Sequence, residues 1–132
     1  MTASELAREL VAVAVEAAAS RFGEDIVVLD VSERLAFTDI FVFVTANSER
    51  NVIAIADAVE DALKAVGIPI RRREGYTAGR WILLDFGDFV LHVFHPEERM
   101  YYGLERLWAD CPVVSLPPQR GGLLVTQGDV AS

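Results

Sequence analysis

The chain has 132 residues, the size of one typical domain and enough for a single hydrophobic core. Hydrophobic residues make up 52% of it and charged residues 24%, a composition typical of a folded protein and not of a disordered one. Its formal charge is −8, with 12 Lys and Arg against 20 Asp and Glu, which argues against nucleic-acid backbone as the main partner. An acidic surface suits a basic protein partner, although solubility alone is the commoner reason for such a charge.

The chain carries a single cysteine, Cys111, which cannot form an internal disulfide, so a reducing cytosol fits best. The N-terminal stretch carries Glu5 and Glu9 where a secretion leader would be basic. The apolar run VAVAV in this stretch is far too short to span a bilayer. We therefore expect a cytoplasmic protein.

The first part of the chain predicts a helix followed by two strands. The helix is predicted over 3–21, with Thr2 and Glu5 as a capping box. The β-branched run 26–31 predicts a strand. The run 39–46 is nearly all apolar, which predicts a second strand that is buried on both faces.

Ser48 predicts the N-cap of a second helix over 49–66, in which apolar residues recur at helical spacing. Residues 68–74 predict a strand at an edge of the sheet, because they combine a proline with three consecutive arginines. The cluster Arg71–Arg73 could touch RNA, but no aromatic side chains are interleaved with it for base stacking. A solvated edge strand protected by its charges is the better interpretation.

The second half of the chain predicts a hairpin, a helix and a tail. The run 81–94, WILLDFGDFVLHVF, predicts two strands joined by a tight turn, and 95–108 predicts a helix. Periodicity is lost after Pro112, which predicts a folded domain over 1–112 and a flexible C-terminal tail over 113–132. The order of elements predicts an α/β (α+β) fold with a single mixed β-sheet flanked by helices.

Two aspartates in the hairpin, Asp85 and Asp88, could bind a hard cation through their oxygens. Asp30 and Asp39 are the available additional carboxylates, but neither lies beside a loop that could cradle phosphate. Aspartates commonly hydrogen-bond backbone amides in turns, and this role is the better interpretation of the pair. We therefore predict neither a metal nor a cofactor.

His92 and His95 lie three residues apart and could suggest a zinc site. Side chains three apart on a strand point to opposite faces, so the two imidazoles would not converge on one ion. We expect His92 to be a hydrogen-bonded, half-buried histidine. The sequence contains no P-loop, dinucleotide-binding fingerprint or nucleophile elbow.

Trp81 opens the hairpin and Phe86 stands at its tip, where large side chains are expected to be exposed. Trp and Phe are favoured anchors at protein interfaces, so the pair indicates a docking surface. Alternatively, both side chains fold over the end of the sheet and extend the core. The residue pattern alone does not choose between these two interpretations.

Several linked blocks of the sequence resemble the ribosomal silencing factor family, also called Iojap-like. The resemblance covers residues 4 to about 110 and rests on blocks that occur in order at consistent spacing. These blocks are LDVSE (29–33), TDIFVFVTANSERNV (38–52), EGY (74–76), GRWILLDFGDFVLHVFHPEER (79–99) and YYGLERLWAD (101–110).

The resemblance implies a fold similar to that of the nucleotidyltransferase superfamily and a non-enzymatic translation repressor. Family members bind the fourteenth protein of the universal large-subunit series, on the intersubunit face of the large ribosomal subunit. Binding there blocks joining of the small subunit and reduces translation under nutrient limitation. Free members are often homodimers.

The resemblance also implies that the hairpin is the partner-binding surface, formed by Trp81, Phe86 and Phe94, with the charges of Asp85 and Asp88 near a basic partner. One rival hypothesis is a nucleotidyltransferase-like, metal-dependent enzyme that uses the two aspartates. A second rival is a self-associating protein whose Trp81 patch serves only a homodimer.

Overall fold

Two helices and five strands form the regular structure in the described part of the chain. The computed structural model describes residues 4–76, 79–97, 108 and 110–114. The elements in chain order are α1 (Glu5–Ser20), β1 (Glu24–Asp30), β2 (Ile40–Thr45), α2 (Glu49–Ala65), β3 (Arg72–Tyr76), β4 (Trp81–Asp85) and β5 (Phe89–Phe94). This order confirms the predicted elements through the hairpin. The helix predicted over 95–108 lies largely outside the described residues.

Each helix begins after a serine whose side chain caps it. Ser4 Oγ accepts a hydrogen bond from Ala7 N at 3.0 Å, and Ser48 Oγ accepts one from Asn51 N at 3.0 Å. These bonds satisfy backbone donors that have no partner within the helix. The Ser48 cap is confirmed, whereas the cap of α1 is Ser4 and not the predicted Thr2. Neither described helix has the length and apolarity that a bilayer-spanning segment needs.

The strands form one five-stranded sheet in the order β1-β2-β5-β4-β3. β2 and β5 run parallel at its centre, and the other three pairings are antiparallel. This single mixed sheet confirms the predicted fold class. β3 is the predicted edge strand, but it starts later than expected because Ile68 N still bonds Leu63 O at the end of α2.

Both helices pack on one side of the sheet, which we call the helical face, and bury the main hydrophobic core there. Because strand side chains alternate between the two faces, every second strand residue reaches this core. The sheet supplies Ile26, Val28, Ile40, Val42, Val44, Ile82, Leu84, Phe89, Leu91 and Val93 to it. β2 is buried at all but one position, which confirms the burial predicted for 39–46.

The end of the described chain returns to the outer edge of β1. Asp30 N donates to Pro112 O at 2.8 Å, and Val114 N donates to Val28 O at 3.0 Å. The chain therefore packs against the sheet at least as far as Val114. The domain boundary after residue 112 stays a prediction, and residues 115–132 of the predicted tail lie outside the described part.

Candidate functional site

Aromatic rings cover the side of the sheet opposite the helices. Period-two alternation places ring-bearing residues on this side, two from β2, one from β4 and two from β5, and Trp108 packs against Phe41. We call this surface the aromatic face, and its members are Phe41, Phe43, Trp81, His92, Phe94 and Trp108. It is a second, smaller apolar cluster, separated by the sheet from the core under the helices.

His92 lies at the centre of the aromatic face. Its ring stacks on Phe43 at 5.2 Å and on Phe94 at 5.9 Å between ring centroids. Trp81 Nε1 donates a hydrogen bond to His92 Nδ1 at 3.3 Å. Burial lowers the pKa of His92 from 6.5 to about 4, so the imidazole is neutral near pH 7 and can accept this bond. His92 is thus hydrogen-bonded as predicted, but it is buried rather than half-buried.

His95 lies away from His92, beyond the end of β5. Its Nδ1 is 3.2 Å from Arg80 Nη2, and that guanidinium also pairs with Glu49 at 3.0 Å and Glu97 at 2.6 Å. His95 therefore belongs to a surface ion-pair cluster. The two imidazoles do not converge, as the strand periodicity predicted.

Trp81 is half-buried, and its position is fixed from two sides. The indole stacks on Phe94 with 5.3 Å between ring centroids, in addition to its hydrogen bond to His92. Phe94 itself is only 1% exposed. The role of Phe94 in partner binding stays a prediction. Because Trp81 stacks on it, Phe94 contributes to the surface by supporting Trp81.

Other side chains extend the exposed part of the aromatic face around Trp81. They are partly buried and apolar, and they come from strands, a loop and the end of the described chain: Val27, Leu35, Phe41, Trp108 and Val113. Arg34 holds Trp108 in place, because its guanidinium lies 4.6 Å from the ring centroid and pairs with Asp110 at 2.8 Å. The result is a continuous, half-covered apolar surface.

Phe86 is not on this surface. It is 4% exposed and stacks on Phe89 in the helical-face core, with 4.9 Å between ring centroids. The expectation of an exposed tip residue is wrong because the alternation of β4 continues for one more residue. Ile82, Leu84 and Phe86 therefore share one face, and this spacing was visible in the sequence.

The hairpin turn uses Asp85 as predicted for a turn aspartate. Its Oδ1 accepts a hydrogen bond from Gly87 N at 2.8 Å, while Phe86 N donates to Phe89 O at 3.0 Å. Gly87 has φ +91°, and a Cβ there would meet Arg71 Nε at 2.8 Å. The positive φ favours glycine at this turn, whereas the exposed Arg71 side chain could move aside for a Cβ.

The other candidate carboxylates do not join Asp85 in a metal site. Asp30 Oδ1 accepts hydrogen bonds from Ser32 N at 2.9 Å and Ser32 Oγ at 2.6 Å. Asp39 Oδ2 accepts one from Ser4 N at 2.9 Å. Within the ranges that the structure describes, no three His, Cys, Asp or Glu side chains are grouped as a metal site would require.

The arginines of the edge strand are exposed and engaged mainly with carboxylates. Arg73 pairs with Asp57 at 2.8 Å and Glu60 at 3.0 Å, both on α2, and these contacts raise its pKa against the opposing effect of burial. Arg72 pairs with Glu74 at 3.1 Å. This arrangement supports the interpretation of a charged edge strand.

Sequence reasoning missed Phe37, which lies in the loop between β1 and β2 and is 72% exposed. The loop is tied to the hairpin turn, because Asp39 N donates to Asp88 O at 3.0 Å. Asp88 is exposed at this end of the sheet. Phe37 thus takes the place that we had predicted for Phe86, as the exposed aromatic residue near the turn aspartates.

Known proteins resemble this chain over most of its length. A family model described as "Ribosomal silencing factor during starvation" matches residues 4–128. The "Ribosomal silencing factor RsfS" of Halalkalibacterium halodurans is 43% identical over 109 residues, which cover 83% of this chain and 93% of that protein. The mouse "Mitochondrial assembly of ribosomal large subunit protein 1" is 36% identical over 87 residues, which cover 64% of this chain and 38% of that protein.

The fold is also similar to that of a solved relative. A crystal structure of a Chromobacterium violaceum protein superposes with a TM-score of 0.74 at 36% sequence identity, covering 86% of this chain and 92% of that one. The residues matched by the family model include both helices and the whole sheet. The chain belongs to the ribosomal silencing factor family.

Proposed function

We propose that this protein is a translation silencer that binds the large ribosomal subunit at its intersubunit face and blocks joining of the small subunit, notably under nutrient limitation. The direct partner is the fourteenth protein of the universal large-subunit series. The observation that carries the proposal is the half-covered aromatic face around Trp81, in a chain of the ribosomal silencing factor family.

The aromatic face has the physical properties of a docking surface. Interface energy concentrates in a few large side chains, among which tryptophan is strongly represented. Trp81 is held by Phe94 and His92 before any partner arrives. A side chain that is already fixed loses little conformational entropy on binding, so more of its contact energy contributes to affinity.

The charge of the protein supports a basic partner. The formal charge is −8, and Asp88 is exposed at the hairpin turn, close to one end of the aromatic face. Opposite charges on two surfaces accelerate their encounter more than they add to final affinity. Asp85 and Asp88 therefore have the role of steering charges, with Asp85 also fixing the turn.

The proposed mechanism is steric and needs no chemical step, so the protein is not an enzyme and uses no cofactor. Asp85 is occupied by the turn, Asp30 by Ser32 and Asp39 by Ser4, which weighs against the metal-dependent nucleotidyltransferase-like alternative. A free protein in the cytoplasm could cover the same apolar surface by forming a homodimer. Dimer formation and ribosome binding would then exclude each other.

The test is a subunit-joining experiment with purified ribosomal subunits. The parent protein should co-sediment with large subunits and reduce the fraction that joins small subunits, and Trp81→Ala should do neither. Leu6→Ala is the matched control, because Leu6 is an exposed apolar residue on α1, on the other side of the sheet. Normal joining in the presence of excess bound parent protein would contradict the proposal.

A further inference from the structure

In the loop between β1 and β2, two consecutive residues have the opposite of the usual burial: the polar Thr38 is buried and the apolar Phe37 is exposed. Phe37 is 72% exposed, whereas the next residue, Thr38, is 4% exposed. Within the described ranges, the buried Thr38 Oγ1 has no hydrogen-bond partner. Burial alone would favour the reverse arrangement, since an unpaired buried hydroxyl is unfavourable and an exposed phenyl ring gains nothing from the fold. Local conflicts of this kind are typical of functional sites.

This conformation is fixed by the surrounding structure. Val31 N donates to Asp39 O at 2.8 Å, and Leu35 N donates to Val31 O at 2.9 Å, so both ends of the short segment that carries Phe37 are tied to the end of β1. Leu35 packs against the aromatic face. Phe37 therefore projects into solvent from a constrained loop that is continuous with the proposed docking surface.

The loop that carries Phe37 is joined to a hairpin turn that carries carboxylates, whereas the Asp39 carboxylate itself accepts a hydrogen bond from Ser4 N. Asp39 follows two residues later, and its backbone N–H donates to Asp88 O at 3.0 Å, which joins the loop to the hairpin turn. Asp85 lies in the same turn, and the nearby positive charge is Arg71, which lies across Gly87. The Asp88 side chain is exposed. An aromatic ring beside carboxylates is a favourable environment for a cationic side chain.

We propose that Phe37, with Asp88, forms a second anchor site that receives an arginine or lysine side chain of the basic protein docked on the aromatic face. The inference rests on the proposed function, because it assigns this anchor site to the same partner. In this proposal Phe37 has the partner-binding role that the sequence predicted for Phe86. Phe86 is buried in the core, whereas Phe37 is exposed at the same end of the sheet.

The test compares two equally exposed phenylalanines at opposite ends of the sheet. Phe22 is 71% exposed and precedes β1, whose first residue pairs with the last residue of β2. Phe37 lies in the loop that leads into the first residue of β2, at the other end of that strand. Affinity for purified large subunits would be measured for Phe37→Ala, Phe22→Ala and Trp81→Ala. We expect Phe37→Ala to weaken binding by about tenfold or more and Phe22→Ala by less than about twofold.

Each result decides between the two claims. If Phe37→Ala binds like the parent while Trp81→Ala is weakened, the second anchor site is wrong and the docking face stands. If all three variants bind like the parent, the proposed docking face is itself wrong. If Phe37→Ala and Phe22→Ala lose the same amount of affinity for large subunits, the position of the ring is irrelevant, and the inference is also wrong.

A further variant, Phe37→Leu, keeps the apolar bulk and removes the ring. If the partner side chain is a cation, Phe37→Leu should bind nearly as weakly as Phe37→Ala, and raising the salt concentration should narrow the difference between parent and variant. Full binding by Phe37→Leu would show an apolar contact and would overturn the assignment to arginine or lysine.

Discussion

The two faces of the sheet are both apolar, but they are covered in different ways. The helical face is sealed by α1 and α2, and its core is mainly aliphatic, with Leu84, Leu91 and Val93 fully buried. The aromatic face is covered only in part, and Trp81 and Trp108 stay half-buried on it. A sealed apolar face stabilises the fold, whereas a half-covered one keeps apolar area available for a partner.

The comparison also suits the larger share of rings on the aromatic face. Aromatic rings stack in defined orientations and keep a large flat area exposed when only one side is covered. Phe43 and Phe94 are fully buried and form the layer on which His92 and Trp81 are positioned. The face therefore has a buried supporting layer and an exposed contact layer, and substitutions in the two layers should have different effects.

The largest expected effect comes from truncating an aromatic residue of the helical-face core. Phe86→Ala should lower the free energy of unfolding by about 3–5 kcal/mol, because it removes a buried ring and leaves a cavity against Phe89. Urea denaturation of parent and variant measures the change. A loss below about 1 kcal/mol would mean that Phe86 is exposed after all, and the assignment of the hairpin tip to the core would be wrong.

The next effect concerns His92, whose pKa is lowered to about 4 by burial. Between that value and the ordinary 6.5, the unfolded chain binds a proton that the folded chain does not, so stability falls as the pH falls. The loss attributable to His92 between pH 7 and pH 4 should approach about 3 kcal/mol. It should be absent above pH 7.

The His92 prediction is checked by unfolding parent and His92→Gln at several pH values. Glutamine keeps an acceptor for Trp81 Nε1 but does not titrate, so the difference between the two curves isolates the histidine. Parallel curves from pH 7 to pH 4 would show that His92 is protonated as readily in the folded protein as in the unfolded one.

The smallest effect is expected from Asp88→Asn. Because the carboxylate is exposed, its neutralisation should change stability by less than about 0.5 kcal/mol. It should slow association with large subunits and reduce the dependence of the association rate on salt. Stopped-flow measurements at two ionic strengths test this, and an unchanged association rate would remove the steering role.

Most of the fold follows from local sequence signals. Ser48 as a cap, the tight turn within 81–94 and the apolar run of β2 each act within a few residues, and all three predictions are confirmed. The predicted start of α1 was wrong because two polar residues two positions apart, Thr2 and Ser4, both suit a cap.

The candidate site was less predictable, because exposure depends on segments that are distant in sequence. Phe94 and Trp81 are equally aromatic, and only their stacking order decides which one meets solvent. No sequence pattern indicated that Phe37 is exposed, because its exposure follows from the hydrogen bonds that join its loop to the end of β1. Phe86 is different, since counting from Ile82 and Leu84 would have placed it in the core.

The central claim is that Trp81 contributes to partner binding more than to the stability of the fold. The measurement that tests it most directly is the affinity of Trp81→Ala for purified large subunits, taken together with its free energy of unfolding. We predict that binding weakens by about thirtyfold or more, equivalent to at least about 2 kcal/mol, while the half-buried indole contributes less to stability than the about 3–5 kcal/mol of a core ring. Parent-like affinity in a folded Trp81→Ala protein, or unfolding as severe as that of Phe86→Ala, would contradict the account.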